Sequence, residues 1–168
     1  LIAELSAELS RHGRVVWHHF GGGSSEAVSK AVTRAVSRGV DVHFHGIVSN
    51  LELQQFYRSN QISFFVNLSR DEGIPVSIME AMNAGIPIVA TSVGGTPEVV
   101  IPGRSGILVK ADRPGDLPEL AKRIIAALKD GGDLANARPR EVWEERCNAE
   151  RLAATFCDDL IAMAVEGA

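Results

Sequence analysis

Short apolar runs alternate along the chain with longer segments whose apolar residues recur every three or four positions. The short runs are rich in β-branched and aromatic residues and predict strands at 14–20, 42–45, 62–67, 87–91 and 106–109. The periodic segments predict helices at 1–9, 24–38, 51–58, 75–85, from 96 onward, at 117–128 and at 140–165. Strands that alternate with helices indicate an α/β fold, a Rossmann-like doubly wound parallel sheet.

Particular residues set the expected limits of these elements. Ser24 and Ser25 can cap the second helix, which we expect to end at Gly39. Asn50 is the expected cap of the third helix, and Pro75 suits the first turn of the fourth. The run at 62–67 is apolar enough to be a strand that is buried on both faces.

Ligands of such sheets bind beyond the carboxyl ends of the strands, so the loops after His45, Val66 and Thr91 are the places to look for chemistry. Glu72 lies in the second of these loops, and Glu80 lies about one turn inside the following helix. The positive end of a helix attracts phosphate, and a carboxylate can accept both hydroxyls of a vicinal diol. On spacing alone, Glu80 could equally complement the helix dipole while Glu72 is merely solvated.

Composition narrows the class of protein. The chain has 168 residues, enough for one domain with a sizeable core, and 45% of them are hydrophobic and 23% charged, as in globular proteins. A net charge of −4 argues against a nucleic-acid surface. The sequence contains neither a membrane-length apolar run nor a signal peptide, and Cys147 and Cys157 match no metal-ligand spacing. A soluble cytoplasmic protein is expected.

One stretch of the chain resembles a known family. Residues 72–82, with Glu72 and Glu80 at the required spacing, resemble the E-x7-E motif of family 4 (group 1) glycosyltransferases. Residues 84–91 and 93–100 continue the match into that family's next block, and weaker similarity extends from Trp17 to the C-terminus. The whole run is far more specific than one E-x7-E motif alone.

The resemblance implies a two-domain GT-B enzyme in which residues 1–168 form the C-terminal, donor-binding domain. Glu72 matches the glutamate that contacts hydroxyls of the transferred sugar, and Glu80 matches the one that holds the nucleotide ribose. The amides of Gly73 and Ile74 fall where the family binds the sugar and distal phosphate, and Val76 belongs to the same donor-binding segment. Pro75 stands where many members have a second glycine, so one backbone donor is missing.

A second loop completes the expected site: Gly46, Ile47 and Val48 resemble the loop whose backbone faces the nucleobase. The family's first strand, its basic pyrophosphate motif and the N-terminal acceptor domain would all precede residue 1. The chain by itself is therefore expected to bind donors weakly and to be an inactive part of the enzyme.

The implied activity is hexosyl transfer from a nucleoside diphosphate sugar, with retention of configuration, to a saccharide or lipid-linked acceptor held by the N-terminal domain. Catalysis would depend on stabilising the departing diphosphate, with Glu72 positioning the sugar and no metal or other cofactor. The full enzyme could associate peripherally with a membrane. The alternatives are a non-catalytic nucleotide-sugar-binding module and a sugar-nucleotide epimerase of similar architecture.

Two other signals are interpreted as structural. Gly21, Gly22 and Gly23 form a turn, because their spacing fails the dinucleotide-binding pattern G-x-G-x-x-G. Four histidines at strand ends are not expected to bind zinc, which needs three or four converging ligands; they are His18, His19, His43 and His45. The last helix resembles the one that returns to the N-terminal domain in GT-B enzymes, and its apolar face is expected to be partly bare.

The expected strand order is 3-2-1-4-5-6, of which the chain supplies strands 2 to 6. Without strand 1, the strands at 14–20 and 62–67 would each have an unpaired edge, and each buried unpaired group costs roughly 1–3 kcal/mol. The two strands could pair directly, a partner chain could fill the slot, or upstream residues could occupy it. The third arrangement is the one expected.

Overall fold

The computed structural model describes residues 1–22, 26–110 and 116–166. Its strands are β1 (Val16–Phe20), β2 (Asp41–Gly46), β3 (Phe65–Asn67), β4 (Ile88–Thr91) and β5 (Gly106–Val109). Its helices are α1 (Ile2–Leu9), α2 (Glu26–Ser37), α3 (Asn50–Ser59), α4 (Val76–Asn83), α5 (Thr96–Val99), α6 (Leu117–Leu128), α7 (Pro139–Arg146) and α8 (Ala149–Glu166). Strands and helices alternate as predicted, and the α/β class is confirmed. The expected caps Ser24 and Ser25, together with Gly23, lie outside the described residues.

The strands form two parallel sheets. β1 pairs with β2, while β4 lies between β3 and β5 in a three-stranded sheet. These pairings agree with the predicted order 3-2-1-4-5-6, in which β1 and β2 are strands 2 and 3, and β3, β4 and β5 are strands 4, 5 and 6. In the part of the chain that the structure describes, β1 is not hydrogen-bonded to β3, so the two strands do not pair directly.

Helices cover both faces of the sheets, as in a doubly wound fold. On one face, α1 and α6 enclose an apolar cluster that includes Leu5, Leu9, Leu68, Val89, Ile107, Val109, Leu120 and Ile124. On the other face, α3, α4, α5 and α7 enclose a cluster that includes Tyr57, Ile78, Met82, Ile88, Ala90, Val99 and Val142. The two clusters use alternate residues of β4, which is why this strand is buried along its whole length.

Two helices link the sheets. In α1, Leu5 packs against the core of the three-stranded sheet while Ala3 packs with Ala35 and Val40 beside β1 and β2. On the opposite face, the Phe56 ring of α3 contacts the rings of His18 and Phe20 in β1 at centroid distances of 4.9 Å. The two sheets are therefore linked by a helix on each face.

The prediction of a long, fully buried strand at 62–67 is wrong. Only Phe65–Asn67 pairs with β4, and all three of these residues are half-buried. The apolar composition suggested burial on both faces, but among the described residues β3 pairs with a strand on one side only. An edge position of this kind shortens the strand and leaves its side chains partly exposed.

The predicted single helix at 140–165 is also wrong, because two helices meet at Cys147 and Asn148. The side chain of Asn148 accepts hydrogen bonds from the backbone N–H groups of Glu150 and Arg151, at 3.1 and 3.3 Å, and so caps the start of α8. Its amide donates to Glu144 at 2.6 Å in the last turn of α7. An asparagine that bonds both neighbouring helices favours a break over continuation.

The terminal helix leaves apolar side chains uncovered, as expected: exposed residues of α8 include Leu152, Phe156, Leu160, Ile161 and Met163. None of the helices in the described ranges combines the length and the hydropathy that crossing a bilayer requires.

Candidate functional site

The candidate residues lie where β2, β3 and β4 reach their carboxyl ends. The loop at 68–75 leads from β3 to α4, and the turn at 92–95 leads from β4 to α5. The loop at 47–49 follows β2 and precedes α3. A hydrogen bond from the side-chain amide of Asn50, the first residue of α3, to the Glu80 carboxylate joins the end of this third segment to α4.

Glu72 is half-buried and held by side chains of its own loop. Its Oε1 atom accepts a hydrogen bond of 3.1 Å from the Asn67 amide at the end of β3. The side-chain oxygen Oδ1 of Asn67 accepts the N–H of Ser69 at 2.9 Å, and the backbone carbonyl of Ser69 accepts the Thr91 hydroxyl at 2.6 Å. This chain of hydrogen bonds ties Glu72 to the ends of two neighbouring strands.

Hydrogen bonding keeps Glu72 ionised. Hydrogen bonds from the Ser69 hydroxyl and then the Asn67 amide lower the pKa of Glu72 from 4.5, and slight burial opposes them only partly. An ionised carboxylate accepts hydrogen bonds and donates none. Glu72 is thus suited to accept hydrogen bonds from hydroxyl groups and unsuited to act as a general acid near neutral pH.

Two glycines of the next turn pack directly on the Glu72 loop. Gly94 has φ of +51°, and a Cβ atom there would overlap the carbonyl oxygen of Glu72. Gly95 donates its N–H to the Gly73 carbonyl at 3.0 Å, and a Cβ there would lie 2.6 Å from Cγ1 of Ile74. Only glycine permits this close approach of two loops, and it fixes the backbone between Glu72 and Ile74.

The start of α4 is open to an anion. Pro75 occupies the N-cap position rather than the predicted first turn, no side chain of the described residues caps the helix, and its first turn contains no acidic residue. The space beside Gly73 is empty to 4 Å, while Val76 is 62% exposed and Ile74 is also exposed. The positive end of this helix therefore faces solvent without a protein carboxylate on it.

Glu80 lies in the second turn of α4 and faces α3. Its Oε1 atom accepts the hydrogen bond from Asn50, which leaves lone pairs on the carboxylate for another donor. Tyr57 lies in the same neighbourhood: burial raises the pKa of Tyr57 to about 12, and the charge of Glu80 adds to the effect. Its hydroxyl accordingly stays protonated across the physiological range.

Asn50 is free for this contact because it is not the cap of α3, which corrects the prediction. The Ser49 side chain accepts the N–H of Glu52 at 3.2 Å, and the Glu52 carboxylate accepts the N–H of Ser49 at 2.7 Å. This reciprocal capping box satisfies the helix start one residue earlier than expected.

The loop that starts at Gly46 is shaped by the strand before it. Gly46 has φ of +69°, which turns the chain out of β2, and its carbonyl accepts the N–H of Gly21 at 2.8 Å. Ile47 is 85% exposed beside Gly22, and Val48 is half-buried. An apolar surface with exposed backbone is thus available next to the Asn50–Glu80 contact.

The histidines of β1 and β2 form a ladder of rings on the face that packs against α3. His18 stacks between His43 and His45 with centroid distances of 4.9 and 5.2 Å, and His45 stacks on Phe20 at 4.3 Å. His18 Nδ1 lies 3.0 Å from His45 Nε2, so one ring nitrogen of this pair bonds the other. Among the described residues, no group of three or more histidine, cysteine or acidic side chains has the geometry of a metal site.

The structure brings the sequence-predicted residues to one region. Glu72, Gly73, Ile74, Val76 and Glu80 lie on one continuous loop and helix start, and the contact of Asn50 with Glu80 brings the loop at 46–48 beside them. The ligand role of each of these residues stays a prediction.

Sequence reasoning did not identify several residues that hold the site, namely Asn50, Asn67, Ser69, Thr91, Gly94 and Gly95. A signal existed for Asn50, because Ser49 and Glu52 have the spacing of a capping box. Asn67, as a polar residue at the carboxyl end of an apolar strand, was also recognisable.

Comparisons with known proteins give the family. The sequence model described as "Glycosyl transferases group 1" matches residues 1–130. The chain is 49% identical over 82 residues to a putative colanic acid biosynthesis glycosyltransferase of Escherichia coli, a match that covers 47% of the chain and 20% of that protein. It is 33% identical over 120 residues to a D-inositol 3-phosphate glycosyltransferase of Streptomyces bingchenggensis, covering 69% of the chain and 24% of that protein. The chain thus spans about a fifth to a quarter of the length of these relatives.

Solved structures of GT-B glycosyltransferases share the fold. Sucrose-phosphate synthase of Thermosynechococcus elongatus matches 99% of the chain and 43% of its own length, with a TM-score of 0.65 and 24% identity. HepE of Anabaena, in complex with UDP and glucose, matches 95% of the chain and 44% of its own length, with a TM-score of 0.71 and 21% identity. With the family match over most of its length and this fold, the chain belongs to the group 1 family of glycosyltransferases.

Proposed function

We propose that this chain is the nucleotide-sugar-binding part of a retaining glycosyltransferase that moves a hexosyl group from a nucleoside diphosphate sugar to an acceptor. The observation that carries the proposal is the pair of carboxylates, Glu72 and Glu80, on either side of the open N-terminal end of α4. Membership of the group 1 family supports glycosyl transfer in general.

The geometry suggests how the donor would lie. The diphosphate would occupy the start of α4, where the helix dipole and the backbone amides of Gly73 and Ile74 favour negative charge. Glu80 would accept the ribose hydroxyls with the lone pairs that Asn50 leaves free. The nucleobase would lie along residues 46–48, which adjoin Asn50 in the chain.

The transferred sugar would lie at the opposite end of the ligand from the base, beside Glu72. Because the Ser69 and Asn67 hydrogen bonds keep Glu72 ionised, its carboxylate can accept two sugar hydroxyls at once. This contact orients the anomeric carbon but supplies no proton, so we assign Glu72 a positioning role in the reaction.

Catalysis in this proposal depends on charge that develops on the departing diphosphate. Preorganised backbone dipoles at the start of α4 stabilise that charge without having to reorient, which is the basis of electrostatic catalysis in enzymes. The proposal includes neither a metal ion nor another cofactor, and it assigns no covalent nucleophile.

The ligands of a solved relative in fold support a nucleotide-sugar donor. The Anabaena protein HepE was crystallised with UDP, with UDP and glucose, and with UDP-glucose, and its fold is the one described above. The proposal further places a saccharide or lipid-linked acceptor on the rest of a longer, cytoplasmic enzyme that associates peripherally with a membrane.

The test is calorimetric or NMR titration of the chain with UDP, GDP and ADP and with their glucose conjugates, at ligand concentrations into the millimolar range. Glu80→Ala should weaken binding of the free nucleotide by about 1–3 kcal/mol, because it removes a charge-assisted hydrogen bond to the ribose. Glu119→Ala is the matched control, since Glu119 is an exposed carboxylate whose partner is the surface residue Lys122 at 3.5 Å.

Binding of at least one nucleotide by the unmodified chain, weakened by Glu80→Ala and not by Glu119→Ala, supports the proposal. Absence of binding to all three nucleotides, or equal affinity in both variants, contradicts it.

A further inference from the structure

The side chain of Asn67 donates one hydrogen bond and accepts another. As the last residue of β3, its side-chain amide donates to Oε1 of Glu72 at 3.1 Å, and its side-chain carbonyl accepts the N–H of Ser69 at 2.9 Å. The side chain is half-buried, and its backbone is fixed by pairing with Ala90 of β4. Asn67 therefore links the rigid end of a strand to a carboxylate in a loop.

The loop backbone and the Glu72 side chain are held by different groups. The Thr91 hydroxyl and the two glycines Gly94 and Gly95 hold the backbone on either side of Glu72. The direction of the carboxylate is set instead by the hydrogen bond from the Asn67 amide. Loss of the Asn67 donor should then release the carboxylate while the loop keeps its path.

The chemistry of an amide explains why asparagine suits this position. A primary amide has a donor and an acceptor in one planar group, so it can hold the carboxylate and the Ser69 N–H together. Aspartate has nearly the same shape and would keep the acceptor for Ser69. It would lose the donor, however, and present a second negative charge to Glu72.

We propose that Asn67 is a positioning residue that orients the Glu72 carboxylate toward the hydroxyls of the donor sugar. The inference rests on the proposed function, because it assigns the sugar end of the donor to Glu72. Asn67 occupies one lone-pair direction of Oε1 and leaves the rest of the carboxylate to the ligand. Its effect on ligands should therefore appear for nucleotide sugars and not for free nucleotides.

The first arm of the test needs no ligand. The pKa of the Glu72 carboxyl is measured by ¹³C NMR titration in the unmodified chain, in Asn67→Asp and in Asn67→Ala. Both variants should raise the pKa of Glu72, with the larger rise in Asn67→Asp because a second carboxylate replaces the donor. Asn67→Ala provides the same test if the aspartate variant does not fold.

The control is Asn60→Asp, which makes the same chemical change at an exposed asparagine whose amide donates to the Phe56 carbonyl at 2.8 Å. This substitution should leave the pKa of Glu72 where it is in the unmodified chain. An unmoved pKa of Glu72 in both Asn67 variants would overturn the inference.

The second arm compares the affinity for UDP-glucose, GDP-glucose and ADP-glucose with that for the matching free nucleotides. Asn67→Asp should reduce the preference for the nucleotide sugar by at least about tenfold, the scale of one hydrogen bond to a charged group. Free nucleotide affinity should match that of Asn60→Asp. A moved pKa with an unchanged sugar preference would contradict the inference, because Asn67 would then alter charge without orienting the carboxylate.

The two arms separate this inference from the proposed function. If the unmodified chain binds no nucleotide or prefers none of the sugars, the proposed function fails, and with it the sugar-directed role of Asn67. If the unmodified chain does prefer a nucleotide sugar and Asn67→Asp keeps that preference, the inference alone fails.

Discussion

Glu72 and Glu80 are both carboxylates at the same edge of the sheet, yet their surroundings give them different properties. Glu72 is held by residues of its own loop and strand, and its pKa is lowered by the Ser69 and Asn67 hydrogen bonds. Glu80 accepts a hydrogen bond from Asn50, the first residue of α3. The two residues are therefore expected to bind different parts of one ligand.

Glu72→Gln should weaken the binding of a nucleotide sugar without weakening the binding of a free nucleotide. The substitution removes the charge but keeps the shape, so affinity for a free nucleotide should stay close to that of the unmodified chain. Affinity for the nucleotide sugar should fall by about 1–3 kcal/mol, because the neutral amide is a poorer acceptor for sugar hydroxyls. Competition titrations with matched nucleotide and nucleotide-sugar pairs measure the difference, and equal losses for both ligands would argue against the assignment.

Gly94→Ala tests whether the turn after β4 holds the Glu72 loop. The added Cβ would overlap the Glu72 carbonyl at a residue whose φ is +51°, so both sterics and backbone strain oppose it. The variant should lose about 1–3 kcal/mol of unfolding free energy, the usual range for overpacking, and should bind donors more weakly. Gly13→Ala is the control, because a Cβ there meets nothing within 4 Å. Equal urea midpoints for the two variants would show that the loops are not tightly packed.

Among the helices and strands, the sequence pattern correctly predicted those whose limits depend on residues within or next to the element. The strand at 106–109 and the helix at 117–128 have the predicted limits, because the apolar pattern and the flanking residues agree. The break at Asn148 was not predicted, since the apolar spacing continues across it and only the side-chain hydrogen bonds of Asn148 reveal the cap.

In the site, too, a motif within one segment was predictable and a contact between distant segments was not. Glu72 and Glu80 could be found because their spacing forms a recognisable motif within one segment. Asn50 lies 30 residues from its partner Glu80, and no local pattern reports a contact between two elements that only the fold brings together. The shortness of β3 also depends on the fold, because among the described residues β3 pairs with β4 on one side only.

The histidine ladder makes the β1–β2 pair sensitive to acid. The pKa of His18 is lowered from 6.5 by burial and then by the charges of His43 and His45, while Asp41 opposes the shift. Below pH 6.5 the unfolded chain therefore binds more protons at this residue than the folded chain, and stability falls as the pH drops toward the folded-state pKa.

Thermal unfolding from about pH 7.5 to about pH 5.5 measures this effect. His18→Phe keeps a ring in the stack but does not titrate, so its Tm should fall less than that of the unmodified chain. His12→Gln, an exposed histidine in the turn after α1, should behave as the unmodified chain does. A pH dependence that is the same in His18→Phe and the unmodified chain would contradict the expected role of the ladder.

At the scale of the whole molecule, the candidate site lies across the junction of the two sheets. The loop after β2 belongs to one sheet, and α4 with the Glu72 loop belongs to the other. Helices α1 and α3 pack against both sheets, and the Asn50–Glu80 hydrogen bond joins α3 to α4 at the ligand edge. A ligand that spans the junction would contact both halves and should stabilise their relative position.

The nucleotide-sugar site is best tested by mapping backbone amide shifts with ¹H–¹⁵N NMR during titration with UDP-, GDP- and ADP-glucose. One of these ligands is expected to perturb amides at 46–50 and at 72–80 together, because the base would contact the loop after β2 while the ribose, diphosphate and sugar would contact α4 and the loop before it. Perturbation confined to one of the two segments, or concentrated elsewhere on the molecule, would contradict a nucleotide-sugar site at this edge.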